Sequence, residues 1–193
     1  RSGGKFLMWR IVLLVIFLSA CAEKSPPVYQ EQGYVFGTLV EISIADAPEA
    51  DAKLAVAAVM QEFQRLHSML HAWQPSELSE LNAALARGES AAVSSELVNI
   101  VQDAAQLSKQ SHGMFNPAIG GLVGLWGFHA DDFKPVQPDQ NELAKLVAAN
   151  PQMSDLSIDH GRVESTNPTV QLDLGGYAKG YALDRAAQIL HQR

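Results

Sequence analysis

Residues 172–187 read "LDLGGYAKGYALDRAA". The run "TVQLDL", residues 169–174, has the look of a last strand that ends beside an acid, Asp173. Gly175 and Gly176 then make a corner, and a helix from Tyr177 onward carries Lys179 in its first turn. A strand delivered into Gly-Gly and a helix is a general device for anions, because glycine lets the backbone approach a ligand and the first-turn N–H groups lack helical partners. Lys179 adds a charge suited to phosphate, and Asp173 suggests a metal ion or a hydrogen bond to a ligand's donor group. Neither GxxxxGK[ST] nor GxGxxG occurs in the chain. From these residues alone two readings stand: a ligand site, or a strand–helix corner capped by Asp173.

Outward from that corner, the periodicity divides the chain into helices early and strands late, which argues an α+β fold rather than a βαβ repeat. Residues 34–45, "YVFGTLVEISIA", alternate Leu39/Glu41/Ser43 against Val40/Ile42/Ile44 and predict one strand. Asp46, Pro48 and Glu49 open a helix whose apolar face is Ala55, Val59, Phe63, Leu66 and Leu70. A second helix begins at Ser76, buries Leu78, Leu81 and Leu85, and stops at Gly88. A third follows Ser94–Ser95, buries Leu97, Val101 and Ala104, and stops at Gly113. Residues 113–128, "GMFNPAIGGLVGLWGF", have no clean period and predict an irregular, tightly packed segment. Asp139 and Glu142 start a shorter helix ended by Asn150–Pro151, and "LSID" and "VES" flank a "HGR" hairpin turn.

The chain has 193 residues, enough for one domain with a substantial core. Its net charge of −7 and lack of a basic cluster argue against a nucleic-acid surface. At the N-terminus Lys5 and Arg10 precede an apolar run, "IVLLVIFLSA", with no acid before Glu23. That is the layout of a secretory signal peptide, residues 1–20, and the run is shorter than the ~20 apolar residues a spanning helix needs. "LSAC" resembles the bacterial lipobox, with lipid on Cys21, the only cysteine, so no internal disulfide can form. Residues 21–33 read as a lipidated, polar tether, and the chain as an extracytoplasmic lipoprotein of a bacterial cell membrane, on the periplasmic face.

Four segments, in order, resemble the ApbE family of FAD:protein FMN transferases. "LDLGGYAKGYALDRA" is similar to its "DLGGIAKGYAVD" motif, and "YVFGTLVEISI" to its "MGT" strand with Phe36 at the methionine position. "HAWQPSELSELN", residues 71–82, resembles "Y-x-x-x-SELSxLN" with Trp73 at the aromatic position. "GMFNPAIGGLVGLWGF" resembles "GaFDPTVGPLVxLWGF" with Asn116 for the usual Asp. The resemblance covers residues 34–193 and implies an α+β domain with a mixed or antiparallel sheet and packed helices, here C-terminally incomplete.

It further implies transfer of FMN from FAD to a threonine hydroxyl of an exported acceptor, such as a subunit of an NADH:quinone oxidoreductase-type complex, with Mg2+ at the diphosphate and AMP leaving. By resemblance Asp173 and Lys179 contact FAD, Phe36, Trp73, Met114, Phe115 and Asn116 line its pocket, and the Gly176 carbonyl ligates the metal. Trp126 and Phe128 read as packing. His67 and His71, spaced i, i+4, read as structural or surface residues, for want of an HExxH motif or a nearby cysteine pair. The competing functions are FAD hydrolysis to FMN and AMP, and a flavin-binding lipoprotein without catalysis.

Overall fold

The computed structural model describes residues 27–130 and 134–192. The predicted signal peptide, Cys21 and the first part of the tether lie outside the described residues. Strands β1 (Val28–Val35) and β2 (Thr38–Ala45) form an antiparallel hairpin, with Val35 opposite Thr38 and Val28 opposite Ala45. This corrects two expectations. Residues 28–33 are strand rather than tether, and residues 34–45 hold a turn at Phe36–Gly37 rather than one strand. Gln30 and Gln32, two of the polar residues that suggested a tether, sit on the solvent face of the hairpin. There Gln30 donates to Glu41 and Ser43, and Gln32 donates to Glu41.

The predicted helices follow. α1 (Glu49–Met69) buries Ala55, Val59, Phe63 and Leu66. α2 (Glu77–Ala86) is capped by Ser76, whose hydroxyl accepts from the Ser79 N–H at 2.9 Å. α3 (Ser95–Gln110) is capped by Ser94, and α4 (Gly120–Leu125) is a short helix inside the irregular segment. α5 (Gln140–Ala149) is capped by Asp139 and ends at Asn150 in the left-handed conformation. A second sheet has the order β3 (Ala91–Ala92), β5 (Arg162–Ser165), β4 (Leu156–Asp159), all antiparallel.

Residues 169–174 are not a strand of either sheet: Thr169 lies in a turn, Leu174 (φ −96°, ψ 11°) caps the last helix, and the ladder contact of the segment among the described residues is a parallel bridge from Gln171 to Ile119. The physical reason is a side chain that stands in for a second strand. On one side Gln171 N–H donates to the Ala118 carbonyl, and Gly120 and Asp173 N–H donate to the carbonyls of Gln171 and Pro117. On the other side the buried Asn82 amide accepts from the Leu172 N–H at 2.7 Å and donates to its carbonyl at 2.8 Å. Gly120 must lack a Cβ, which would stand 2.7 Å from the Gln171 oxygen.

The last helix, α6 (Gly175–His191), begins two residues before the predicted start, so the glycine corner is its own first turn. Asp173 fixes that entry by accepting the Gly175 N–H at 2.8 Å. Ala178, on α6, joins a core with Leu78, Leu97, Leu172 and Leu174. Ala182 and Ala186 join a second core with Val35, Val59 and Phe63. Small side chains at i, i+4, i+8 thus let one helix seal both cores. Arg65 of α1 ties Glu62 and Glu96 together, while Arg185 and Tyr181 of α6 reach the same two carboxylates. Among the described residues no helix is long and apolar enough to cross a membrane.

Asn82→Ala would leave two buried backbone groups at Leu172 without partners. The expected loss of unfolding free energy is about 2–4 kcal/mol in urea titrations. A loss under about 0.5 kcal/mol would show that apolar packing alone holds the segment.

Candidate functional site

A cavity of about 430 Å3 opens between the hairpin turn, the C-terminal end of α1 and the first turn of α6. Phe36, Trp73, Asp173 and Lys179, four of the residues nominated from the sequence, line it together. Helical spacing explains the α6 side: Gly175, Ala178 and Lys179 share one face, and all three border the cavity.

The Phe36–Gly37 turn carries positive φ at both positions, 53° and 68°, the requirement of a two-residue hairpin turn. Glycine meets it freely, but a bulky side chain in that region costs about 1–2 kcal/mol. The Phe36 ring offsets the strain by packing edge-on against Phe63 at 6.2 Å and His67 at 5.6 Å. From there rings continue without a gap. His67 lies 5.2 Å from His71, His71 lies 4.3 Å from Trp73, and Trp73 stacks on His129 at 4.9 Å and 15°. The row ends on a carboxylate, for His129 Nε2 lies 2.9 Å from Asp173 Oδ2.

Both Asp173 oxygens are therefore engaged, one by His129 and one by the Gly175 N–H. The His129 hydrogen bond is the main cause holding the Asp173 carboxyl below the ordinary carboxylate range. Burial opposes the shift, and the Gly175 N–H and the His129 and Lys179 charges assist it. An ionised carboxylate only accepts, so His129 Nε2 must donate. Its Nδ1 rests over Gly124, where a Cβ would come within 2.8 Å.

Met114, Phe115, Asn116 and Gly176 are not brought to this cavity. Met114 is exposed. Phe115 and Gly176 border a second depression of about 450 Å3 with Asp103, Tyr177 and Tyr181, so the first turn of α6 separates the two. There burial, and then the hydrogen bond to Asp103, raise the Tyr177 hydroxyl pKa. Asn116 braces the irregular segment, donating to the Pro151 carbonyl at 2.9 Å and accepting the Ala118 N–H at 3.1 Å. An Asp there could not make the first of these bonds.

Three further residues border the cavity. His67 and His71 line the cavity and are half-buried, and Phe128, read as packing, is exposed at its rim. His129 escaped notice altogether; its only signal was its place just after the "LWGF" run. Among the described residues no group of three or more His, Cys, Asp or Glu can hold a metal ion. Asp173 alone, with both oxygens already bonded, does not fit the set of oxygen ligands that Mg2+ requires.

Residues 36–193 match the ApbE family, and the chain belongs to that family. It is 47% identical over 160 residues to a protein named FAD:protein FMN transferase from Rhodobacter capsulatus, covering 83% of this chain and 31% of that one. The fold is similar to the crystal structure of the ApbE protein from Thermotoga maritima, with TM-score 0.75 and 26% identity over 84% of this chain and 52% of that one. It is similar also to the flavin transferase ApbE from Vibrio cholerae, with TM-score 0.72 and 27% identity over 86% and 54% of the two chains. The chain thus spans about a third of the first protein's length and about half of each of the others. The α+β architecture with small antiparallel sheets agrees with these neighbours.

Because the folded Asp173 carboxyl titrates below its unfolded counterpart, its contribution to stability is complete above the unfolded carboxylate pKa, about 3.9. That contribution is lost as pH falls through the lower folded value. The stability difference between the protein and Asp173→Asn, from urea unfolding at pH 6 to 2, should therefore be constant at the upper end and shrink at the lower. A difference that does not change with pH would show that the carboxylate is not held ionised by its partners.

Proposed function

We propose that this chain forms the FAD-holding part of a flavin transferase that moves FMN from FAD to a threonine hydroxyl of an acceptor protein and releases AMP. The observation that carries the reading is the meeting of Phe36, Trp73, Asp173 and Lys179 in one cavity. Ring faces, a fixed carboxylate and an exposed ammonium are what a molecule with planar rings and a diphosphate asks of a protein. The names of the relatives support the same reading.

In the reaction the threonine Oγ bonds to the phosphorus on the FMN side of the diphosphate. The bond from that phosphorus to the bridging oxygen breaks, AMP keeps the electron pair, and the threonine proton is lost. Such a displacement depends on placement and charge stabilisation more than on acid–base groups. Phe36 and Trp73 offer surfaces for the rings, Lys179 balances phosphate charge, and Asp173 accepts a hydrogen bond from a donor on the ligand. Mg2+ would supply further charge neutralisation at the diphosphate. With one engaged carboxylate at hand, its ligands would come chiefly from phosphate oxygens and water.

The acceptor is read as an exported flavoprotein, such as a subunit of an NADH:quinone oxidoreductase-type complex. The enzyme would meet it as a periplasmic lipoprotein anchored through Cys21. The N-terminal pattern of basic residues, apolar run and "LSAC" supports that placement.

The test incubates the full-length protein with FAD, Mg2+ and a threonine-bearing acceptor domain, then follows the acceptor's mass and AMP release. The expected result is a covalent FMN increment matched by AMP. Asp173→Ala should lower kcat/KM for FAD by about 10- to 100-fold, the loss of one charge-assisted hydrogen bond. AMP release without labelling would establish hydrolysis instead, and FAD binding without either product would establish a flavin-binding protein.

A further inference from the structure

His129 does not border the cavity, although its neighbours Phe128 and Ala130 do. It stands behind the wall and touches two residues that face the ligand space from different elements. Its ring lies flat on Trp73, at 4.9 Å and 15°, and its Nε2 bonds Asp173 at 2.9 Å. Both members of the His129–Asp173 pair are largely shielded, with side-chain exposures of 20% and 15%. The imidazole has a seat: Gly124 of α4 leaves the space a Cβ would fill, 2.8 Å from Nδ1. With one nitrogen on Asp173 and the other over Gly124, neither is aimed at the cavity. The ring is thus placed to hold groups rather than to move a proton for a substrate.

Trp73 follows α1 and is partly exposed, whereas Asp173 is set by the segment before α6. His129 contacts both side chains at once, the ring of one and the carboxylate of the other. Their spacing is the distance between a ring platform and a hydrogen-bond acceptor. A ligand that stacks and bonds at once requires that distance to stay constant.

We propose that His129 is a positioning residue of the flavin-donor site, holding Trp73 in one plane and Asp173 in one orientation so that both engage the same bound dinucleotide. The inference rests on the reading of this cavity as an FAD site. It makes His129 a specificity element: a ligand that uses both the ring platform and the carboxylate gains more from it than one that uses either alone. The other titratable groups of the cavity wall are His67, His71 and Lys179, of which His71 packs on the Trp73 ring and Lys179 helps to hold the Asp173 carboxyl low.

The experiment is a double-mutant cycle in the full-length protein, read as the dissociation constant for FAD from flavin fluorescence. His129→Ala should weaken binding about tenfold in the parent and less than about twofold in Asp173→Ala. KM for FAD should rise in step while kcat changes less. His129→Gln, which keeps an N–H donor, should bind FAD within about threefold of the parent, and His129→Phe, which keeps only the ring, should not. Thermal midpoints identify any variant that fails to fold; if His129→Ala does, His129→Phe takes its place in the cycle. Equal losses in both backgrounds, or no loss from either His129→Ala or His129→Phe, overturn the inference while leaving the FAD reading intact. A parent that does not bind FAD overturns both.

Discussion

The buried Asn82 amide is the contact on which the site depends. Without a second strand beside them, residues 169–174 would expose both backbone groups of Leu172 to an apolar core. A single side chain on α2 satisfies both. With the segment held in place, burial alternates along it. Val170, Leu172 and Leu174 point inward, and Asp173, between two of them, faces the cavity. The direction of α6 and the place of Lys179 follow, since Asp173 also receives the Gly175 N–H at the helix entry.

The sequence made α2, α3 and α5 legible because each carries both a period and a boundary residue. Ser76, Ser94 and Asp139 sit as caps where the pattern placed them. It misread segments whose partners are remote in the chain. The 169–174 run has a strand's composition, but its partner is an amide about ninety positions earlier, which no local pattern reveals. The hairpin was missed for a related reason. A two-residue turn is signalled by Asn-Gly or Gly-Gly, and here a phenylalanine holds the first position under strain relieved by rings on α1.

The site was legible in part. Aromatic and charged residues nominated by motif meet in the cavity when they belong to the hairpin turn, the end of α1 or α6. The trio Met114, Phe115 and Asn116 belongs to a segment whose polar atoms serve its own folding, with Asn116 bonded on both sides. His129 had no such signal, because its value arises from what stands on either side of it in space. An imidazole placed between a ring and a carboxylate cannot be recognised from its chain neighbours.

The hairpin turn also constrains how this chain can vary. Side chains on a strand change face at every residue, so inserting or deleting one residue in β1 or β2 would carry Val35 out of the core and shift Phe36 off the Phe63–His67 contact. Point substitutions on the outer face, at Gln30, Gln32 or Glu41, leave that phase intact. The two strands should thus drift freely in composition on one side while remaining fixed in length, their count of residues acting as the ruler that delivers Phe36 to the cavity.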